Sequence, residues 1–191
     1  INSDSNGNYT NGIYNERITA GLVKINSDGS IYESDYTNFL TTNLYSTYLT
    51  KDNSSNLISS NAFTKKITYN GLINTAFASS SSIIAPNYVN VFVYDHAVQN
   101  DGKIIIGGNF KYTYAGNSTY RQRLMRVNTD GTLDTSFNVG KGINGTSVAG
   151  TEGYFINSIA LLPNNKIVLG GVFTNYNDNE VSNIVRLNSN G

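Results

Sequence analysis

The chain has 191 residues, and its 13 basic residues are balanced by 13 acidic ones. Without an excess of positive charge there is no electrostatic basis for binding nucleic acid or an anionic membrane surface. Cysteine is absent, which excludes disulfides and thiol chemistry. No apolar run approaches the roughly 20 residues of a membrane helix, so we expect no membrane insertion. The Asn-, Ser-, Thr-, Tyr- and Gly-rich composition fits an extracellular, surface or virion β-protein, or an AT-rich genome.

One short template recurs along the chain. Each copy has a basic residue, a short strand-forming run and an Asn-Gly or Asp-Gly turn, and the copies begin at Lys24, Lys66, Arg126 and Arg186. The steps between these residues are 42, 60 and 60 positions. A long period of this kind is the sequence signature of a repeat architecture.

The two N-terminal copies are the less regular ones. Residues 22–29 predict a strand and a turn, and residues 31–39 predict a lengthened return strand. Residues 56–63 align with residues 103–110, and residues 66–77 align with 126–137 without a gap. The polar loop that follows the first of these strands elsewhere is almost absent after residue 63, which accounts for much of the shorter step.

The two C-terminal copies predict buried strands that end in a Gly-Gly pair. Lys103–Phe110 follows an Asp-Gly turn signal, and Lys166–Phe173 follows an Asn-Asn signal. Both runs are too short for a helix and continuous enough for a strand buried on both faces. The paired glycines suit a bulge or a close approach of backbones.

Further strands complete each 60-residue unit. Residues 124–128 and 183–188 roughly alternate between apolar and polar side chains, as half-buried strands do. The hairpin signal at 130–131 predicts a return strand over residues 132–137. Residues 155–162 predict a strand that leads into the next copy, so each unit contains about four short strands.

These residues resemble a known family. The pattern Asp-Gly-Lys-Ile-x-x-Gly-Gly-x-Phe, followed by Arg-Leu-Asn-x-Asp-Gly-x-x-Asp-x-x-Phe, resembles the delta-sixty repeat, a β-propeller blade motif. The likeness is specific over residues 101–191 and looser over 22–77. It implies secreted or surface proteins of bacteria, or structural proteins of phages, and it implies no catalytic residues.

We therefore expect an all-β fold, a β-propeller-like repeat of four-stranded blades. The chain forms a single repeat region, 1–191, with approximate units 1–39, 40–77, 78–137 and 138–191. Closed propellers need roughly four to eight blades, and this chain supplies about three, so we expect an incomplete or fragmentary ring. The expected partners are other copies or the remainder of a longer parent chain.

Several motifs invite a chemical interpretation that their context does not support. Residues 128–134 resemble a calcium loop, but Arg126 stands at the first ligand position and no glutamate closes the loop. No helix follows the Gly-Gly pairs, as a phosphate site would require. We expect no metal and no cofactor, and we interpret the template's turn residues as structural: Asp28, Gly29, Asn70, Gly71, Asp130, Gly131, Asn190 and Gly191.

The single histidine, His96, has no visible nucleophile motif or metal partners, so we expect a structural or exposed position and no catalytic residue. Arg126 and Arg186 could form a binding stripe. The prediction is instead that each pairs with an acid or a carbonyl inside or beside its blade.

The loops after Phe110 and Phe173 are the best candidates for binding. Tyrosine with Asn, Ser and Gly makes adaptable, hydrated binding surfaces, although an ordinary surface loop has the same composition. The candidate ligand-binding residues are Tyr112, Tyr114, Asn117, Tyr120, Arg121, Asn175, Tyr176, Asn177 and Asp178.

The functional expectation is a non-catalytic, extracellular or virion-associated module for structural display. Its blade loops would bind a surface glycan or protein receptor, as in a phage tail fibre. A bacterial secreted or cell-surface adhesion protein is one alternative. A carbohydrate-active enzyme is another, although it would need two carboxylates facing one cleft, and the acids here mostly lie in predicted turns. Pure assembly through exposed strands is the third.

Overall fold

The computed structural model describes residues 2–3, 9–10, 13–14, 17–18, 28, 48–54, 56–60, 64–67, 74, 76–77, 92–113, 120–144 and 153–191. Within these residues the regular structure is β throughout, and no helix occurs. The described ranges contain no helix that is long and apolar enough to cross a membrane. The expected all-β fold, a partial β-propeller, is confirmed.

The first twenty residues contribute two short antiparallel pairs of strands. These pairs are β1 (Asn2–Ser3) with β2 (Tyr9–Thr10), and β3 (Ile13–Tyr14) with β4 (Arg17–Ile18).

Three larger antiparallel sheets follow, each with three strands in the described residues. The first sheet has the order β5 (Tyr48–Lys51), β6 (Leu57–Ser60), β7 (Thr64–Ile67). The second has the order β8 (Phe92–Val98), β9 (Ile104–Thr113), β10 (Tyr120–Val127). The third sheet has the order β12 (Phe155–Leu161), β13 (Ile167–Val172), β16 (Ile184–Leu187). A smaller sheet, which we call the loop sheet, has the order β11 (Ile143–Asn144), β14 (Asn175–Tyr176), β15 (Asn179–Glu180).

The three large sheets are structural repeats of one another. Strands β9 and β13 are the central strands of their sheets, so the runs 103–110 and 166–173 occupy equivalent places, as predicted. Strand β6 is the central strand of the first sheet, which confirms the predicted alignment for residues 57–60; residues 61–63 lie outside the described residues.

The Gly-Gly pairs lie opposite bulges in the neighbouring strands. The register of β8 against β9 shifts between Val93 and Asp95. The register of β12 against β13 shifts at the equivalent position, between Ile156 and Ser158. A Cβ atom on Gly108 would collide with the carbonyl oxygen of Phe92, and one on Gly171 with that of Phe155. The predicted close approach of backbones is therefore confirmed, and it requires glycine at these positions.

The predicted return strand over 132–137 is wrong in its length. Among the described residues it pairs with β10 through one bridge, between Val127 and Leu133. The carboxylate of Asp134 then accepts hydrogen bonds from the backbone N–H and the hydroxyl of Ser136, at 2.9 and 2.7 Å. This turn, closed by the N–H of Phe137 on the Asp134 carbonyl, takes the chain out of the ladder.

The sheets stack face to face through two apolar clusters. Ile104 and Ile106 of β9 lie in the cluster toward the first sheet, while Ile105 lies in the cluster toward the third. Each such buried side chain contributes about 2 kcal/mol. Strand β9 is thus buried on both faces, as predicted. The same prediction is wrong for β13, whose Ile167 and Leu169 are buried while Val168 is only half-buried.

Candidate functional site

The topology places both predicted binding loops at one end of the sheets, which we call the loop end. Strands β9 and β13 end there, while β8, β10, β12 and β16 begin there. The hairpin turns at 99–103 and 162–166 lie at the opposite end. Two stretches that are far apart in sequence therefore contribute to one edge of the molecule, as binding loops on a β scaffold commonly do.

A cluster of aromatic rings lies at this loop end, where the second and third sheets meet. The rings of Phe92 and Tyr94 are stacked, with centroids 6.2 Å apart and an interplanar angle of 2°. Tyr94 also meets Phe155 of the third sheet edge-on, at 5.5 Å and 72°. Phe92 is 41% exposed, so the cluster presents an aromatic surface to solvent. We call Phe92, Tyr94 and Phe155 the aromatic cluster.

Next to the aromatic cluster, the buried side chain of Arg123 lies against the ring of Tyr154. The guanidinium carbon of Arg123 lies 4.3 Å from the ring centroid of Tyr154, a cation–π contact. Burial lowers the pKa of this guanidinium, and the interaction with Tyr154 opposes that effect. Arg123 occupies a bulge in β10 with a φ of 68°, and its counterpart in the third sheet, Asn183, has a φ of 61°. Asparagine tolerates this left-handed region better than arginine does, so strain is concentrated at Arg123.

The first group of predicted binding residues is described only in its backbone. In the register of β9 and β10, Tyr112 is opposite Arg121, and Tyr120 is opposite Thr113. These residues form the base of the loop that closes the β9–β10 hairpin. Tyr114 and Asn117 lie outside the described residues.

The second group forms β14 and the turn between β14 and β15, within the connection that leaves β13 at the loop end. Asn177 and Asp178 have φ values of 48° and 64°, the geometry of a tight two-residue hairpin. The Asn177 side-chain oxygen accepts from the Lys141 N–H at 3.2 Å, and the Asp178 carboxylate pairs with the Lys141 ammonium at 2.5 Å. The hydrogen bond from Lys141 holds the pKa of Asp178 below its usual value. These two side chains thus bind the turn to Lys141, two residues before β11, while Asn175 and Tyr176 are half-buried in β14.

Arg126 lies between the sheets instead of on a binding stripe. Its Nε donates to Asp134 at 2.7 Å, and its Nη1 donates to the Ser189 carbonyl of the third sheet at 2.7 Å. Burial opposes charge on Asp134, but hydrogen bonds from Lys103 and Ser136 and the charge of Arg126 outweigh it and hold its pKa well below the usual range. The predicted pairing is confirmed for this arginine. It is wrong for Arg186, which is exposed and makes no side-chain hydrogen bond to the described residues.

His96 is buried between the first and second sheets. Its Nε2 lies 3.1 Å from the Ile58 carbonyl of the first sheet and therefore carries the proton that it donates. Its Nδ1 has no hydrogen-bond partner in the described part of the chain. Burial lowers the pKa of His96, against the opposing effects of the Asp95 charge and the Ile58 hydrogen bond. The residue therefore links two sheets in its neutral form.

The turn residues of the template lie in tight turns wherever they are described. Asp130 accepts from the Thr132 N–H at 2.9 Å and from its hydroxyl at 2.6 Å, and these bonds lower its pKa. Gly131 has a φ of 85°, and Gly191 donates to the Asn188 carbonyl across the last turn, which contains Asn190. Asp28 is an exposed turn residue, whereas Gly29, Asn70 and Gly71 lie outside the described residues. In the described ranges no group of three or more His, Asp or Glu residues could hold a metal ion.

Comparison with known protein families agrees with this architecture. Residues 99–137 and 162–191 match a family described as domain of unknown function (DUF5122) beta-propeller. These two stretches contain the central strands and the Asp-Gly or Asn-Gly turns of the second and third sheets. The match supports a β-propeller repeat family. No curated protein matches the chain.

Sequence reasoning missed the aromatic cluster, Tyr154 and Arg123. A usable signal was present, because aromatic residues occur at the start of the strand that opens each of the two C-terminal units, at Phe92 and Phe155. Their convergence depends on the stacking of two sheets, which a strand-by-strand interpretation does not provide.

Proposed function

We propose that this chain is a non-catalytic β-propeller repeat module of the delta-sixty type, which binds a surface glycan or protein through its loop end. The aromatic cluster is the main support for this proposal. Its stacked rings and the exposed face of Phe92 lie at the end of the sheets from which both Tyr- and Asn-rich loops leave. Aromatic rings provide large contact areas with little loss of conformational entropy on binding.

The chemistry of the loop end favours a glycan as the ligand. Aromatic faces stack on the apolar faces of sugar rings, and amide and hydroxyl groups reach sugar hydroxyls. Asn175 and Tyr176 lie in the loop sheet, in the connection that leaves β13 at this end, and Tyr120 lies at the start of β10, also at the loop end. We place the module outside the cell, in a phage virion such as a tail fibre, or on a bacterial surface.

An array of bacterial surface polysaccharides, probed with the whole chain, tests this proposal. We expect binding to at least one polysaccharide, and Phe92→Ala should weaken it tenfold or more. Asn100→Ala is the matched control, since Asn100 is exposed in the hairpin turn at the opposite end, and it should bind like the parent protein. No bound polysaccharide would contradict a glycan as the ligand, and equal binding by Phe92→Ala would contradict the aromatic cluster as the binding surface. Release of new reducing ends from a bound polysaccharide would indicate the enzyme alternative instead.

A further inference from the structure

Basic residues are concentrated at the loop end of the second sheet, although the whole chain carries no net charge. The strand ends that enter and leave the β9–β10 loop carry Lys111, Arg121 and Arg123. Residues 102–129, which include both strands and the loop between them, contain no Asp or Glu. A local excess of one charge creates a potential that a balanced total does not cancel, so this edge attracts anions.

The acids near this edge do not reverse its charge. Asp95 of β8 accepts hydrogen bonds from two backbone N–H groups, at 2.6 and 2.8 Å. Asp178 pairs with the ammonium of Lys141, and Glu180 belongs to β15 of the loop sheet, in the connection of the third sheet. At the loop end of β8, β9 and β10, three basic residues therefore stand against one acid.

The guanidinium of Arg123 has a defined place beside the aromatic cluster. Its contact with the ring of Tyr154 leaves the N–H groups at the edge of the guanidinium, which is the part that binds carboxylate and phosphate oxygens. The side chain is 6% exposed, so water screens its charge only weakly.

A recess at Gly153 leads to this guanidinium. A Cβ atom on Gly153 would lie 3.8 Å from the Nη2 of Arg123, and apart from its chain neighbours it would meet no other described atom within 4 Å. Gly153 itself is half-buried, which gives the recess access to solvent. The missing side chain thus provides a small space next to a weakly screened positive charge.

Arg123 occupies its position in an unfavourable backbone conformation. Its φ of 68° lies in the left-handed region, which Asn183, at the equivalent place in the third sheet, tolerates better. Strained residues that persist in a folded protein are concentrated at functional sites. An arginine where the backbone favours asparagine indicates that the guanidinium itself has a role.

We propose that the loop end binds glycans that carry an anionic group, a sugar carboxylate or phosphate, and that Arg123 determines this specificity. The aromatic cluster stacks on the sugar ring, while the guanidinium binds the oxyanion at the Gly153 recess. This inference rests on the proposed glycan binding and adds the charge of the ligand to it.

Matched forms of each ligand test the inference. Every polysaccharide that the array retains is measured beside its neutral form, which is prepared by reducing carboxyl groups to primary hydroxyls or by removing phosphate with hydrofluoric acid. We expect the retained polysaccharides to be acidic and their neutral forms to bind roughly tenfold more weakly, because the charge-assisted hydrogen bonds are lost. The treatment that weakens binding identifies the group as a carboxylate or a phosphate.

Three variants test the role of the basic residues. Arg123→Asn introduces the residue of the equivalent bulge, so it should keep the Tm and weaken binding of the acidic form by roughly tenfold, without changing that of the neutral form. Lys111→Gln combined with Arg121→Gln removes charge outside the bulge and should also weaken binding of the acidic form. Lys51→Gln is the matched control, since Lys51 is exposed next to a hairpin turn at the opposite end, and it should bind like the parent protein.

The outcomes separate this inference from glycan binding itself. Binding of neutral polysaccharides alone, or equal binding of acidic and neutral forms, would overturn the inference and leave the glycan proposal intact. Parental binding by an Arg123→Asn variant of unchanged Tm would do the same. If Arg123→Asn lowers the Tm, the Lys111 and Arg121 double variant decides, and parental binding by it overturns the inference. An array without any bound polysaccharide would contradict both proposals together.

Discussion

The backbone N–H of Ile159 donates to the carboxylate of Asp95 at 2.6 Å, and this bond joins β12 of the third sheet to β8 of the second. The other oxygen of the same carboxylate accepts from the N–H of His96 at 2.8 Å. The N–H of Ile159 adjoins the bulge in β12, where the ladder is interrupted. The Asp95 carboxylate thus accepts a hydrogen bond from a backbone N–H of the neighbouring sheet, so the two sheets are joined by polar as well as apolar contacts.

Asp95→Ala should therefore destabilise the protein by about 1–3 kcal/mol, because it leaves a partly buried N–H group unsatisfied. Asp95→Asn keeps an acceptor oxygen and should cost less. Ser158→Ala is the matched control, since Ser158 is the exposed counterpart in the third sheet, and it should change the free energy of unfolding by no more than about 0.5 kcal/mol. Urea denaturation measures all three, and an Asp95→Ala as stable as the control would contradict the inter-sheet bond.

Asp134→Ala should cost about 3 kcal/mol, because it leaves the buried guanidinium of Arg126 without its carboxylate. Arg186→Ala should be nearly neutral, since its side chain is exposed. Comparing the free energies of unfolding of the two variants separates the cost of removing a charge between the sheets from the cost of removing an exposed charge. If both substitutions cost the same, Arg126 does not hold the sheets as described.

Acid should weaken the protein through the same carboxylate. The pKa of Asp134 lies below its unfolded value, so its stabilisation is complete above pH ~4 and is lost as the pH falls through the folded-state pKa. Urea midpoints measured from pH 5 to pH 2 should therefore fall less steeply for Asp134→Asn than for the parent chain. Equal slopes would contradict this assignment.

His96 should contribute a separate pH dependence in a milder range. Burial lowers its folded-state pKa, so the unfolded chain binds the proton first, and stability falls as the pH drops below ~6.5 toward the folded-state pKa. His96→Gln removes the titrating group and should flatten the stability profile between pH 7 and pH 5. A profile that keeps its slope in this variant would exclude His96 as its source.

Gly108→Ala should destabilise the chain by at least 2 kcal/mol, because the added Cβ meets the carbonyl oxygen of Phe92, a backbone atom that cannot turn aside. Gly170→Ala introduces the same methyl group into open space in the equivalent strand and should be neutral or slightly stabilising. Thermal unfolding of the two variants measures the difference. A tolerated Gly108→Ala would show that the backbones do not approach as closely as described.

Sequence patterns predicted the central strands because the information is local. A short aliphatic run, a turn signal before it and a Gly-Gly pair at its end identify β9 and β13 without knowledge of neighbours. The same local patterns overstated the return strand. Asp134 is drawn into a turn by Ser136 and into an ion pair by Arg126, and neither contact is visible in the alternation of residues 132–137.

The candidate site was less accessible to prediction than the fold. Composition indicated the two Tyr- and Asn-rich loops, and the topology places both at one end of the sheets. The aromatic cluster depends on Phe92 and Phe155, which belong to different sheets and meet Tyr94 only because those sheets stack. Contacts between side chains of different repeats are not indicated by the sequence pattern of either repeat alone.

The most direct test of the stacked-repeat account is a nuclear Overhauser measurement between the second and third sheets. In protein labelled at isoleucine methyl groups, the γ2-methyl of Ile156 should show a strong cross-peak to the Hα protons of Gly107, since the two groups are in contact. A cross-peak from the same methyl to Gly170 instead, with none to Gly107, would show that these sheets do not stack as repeats.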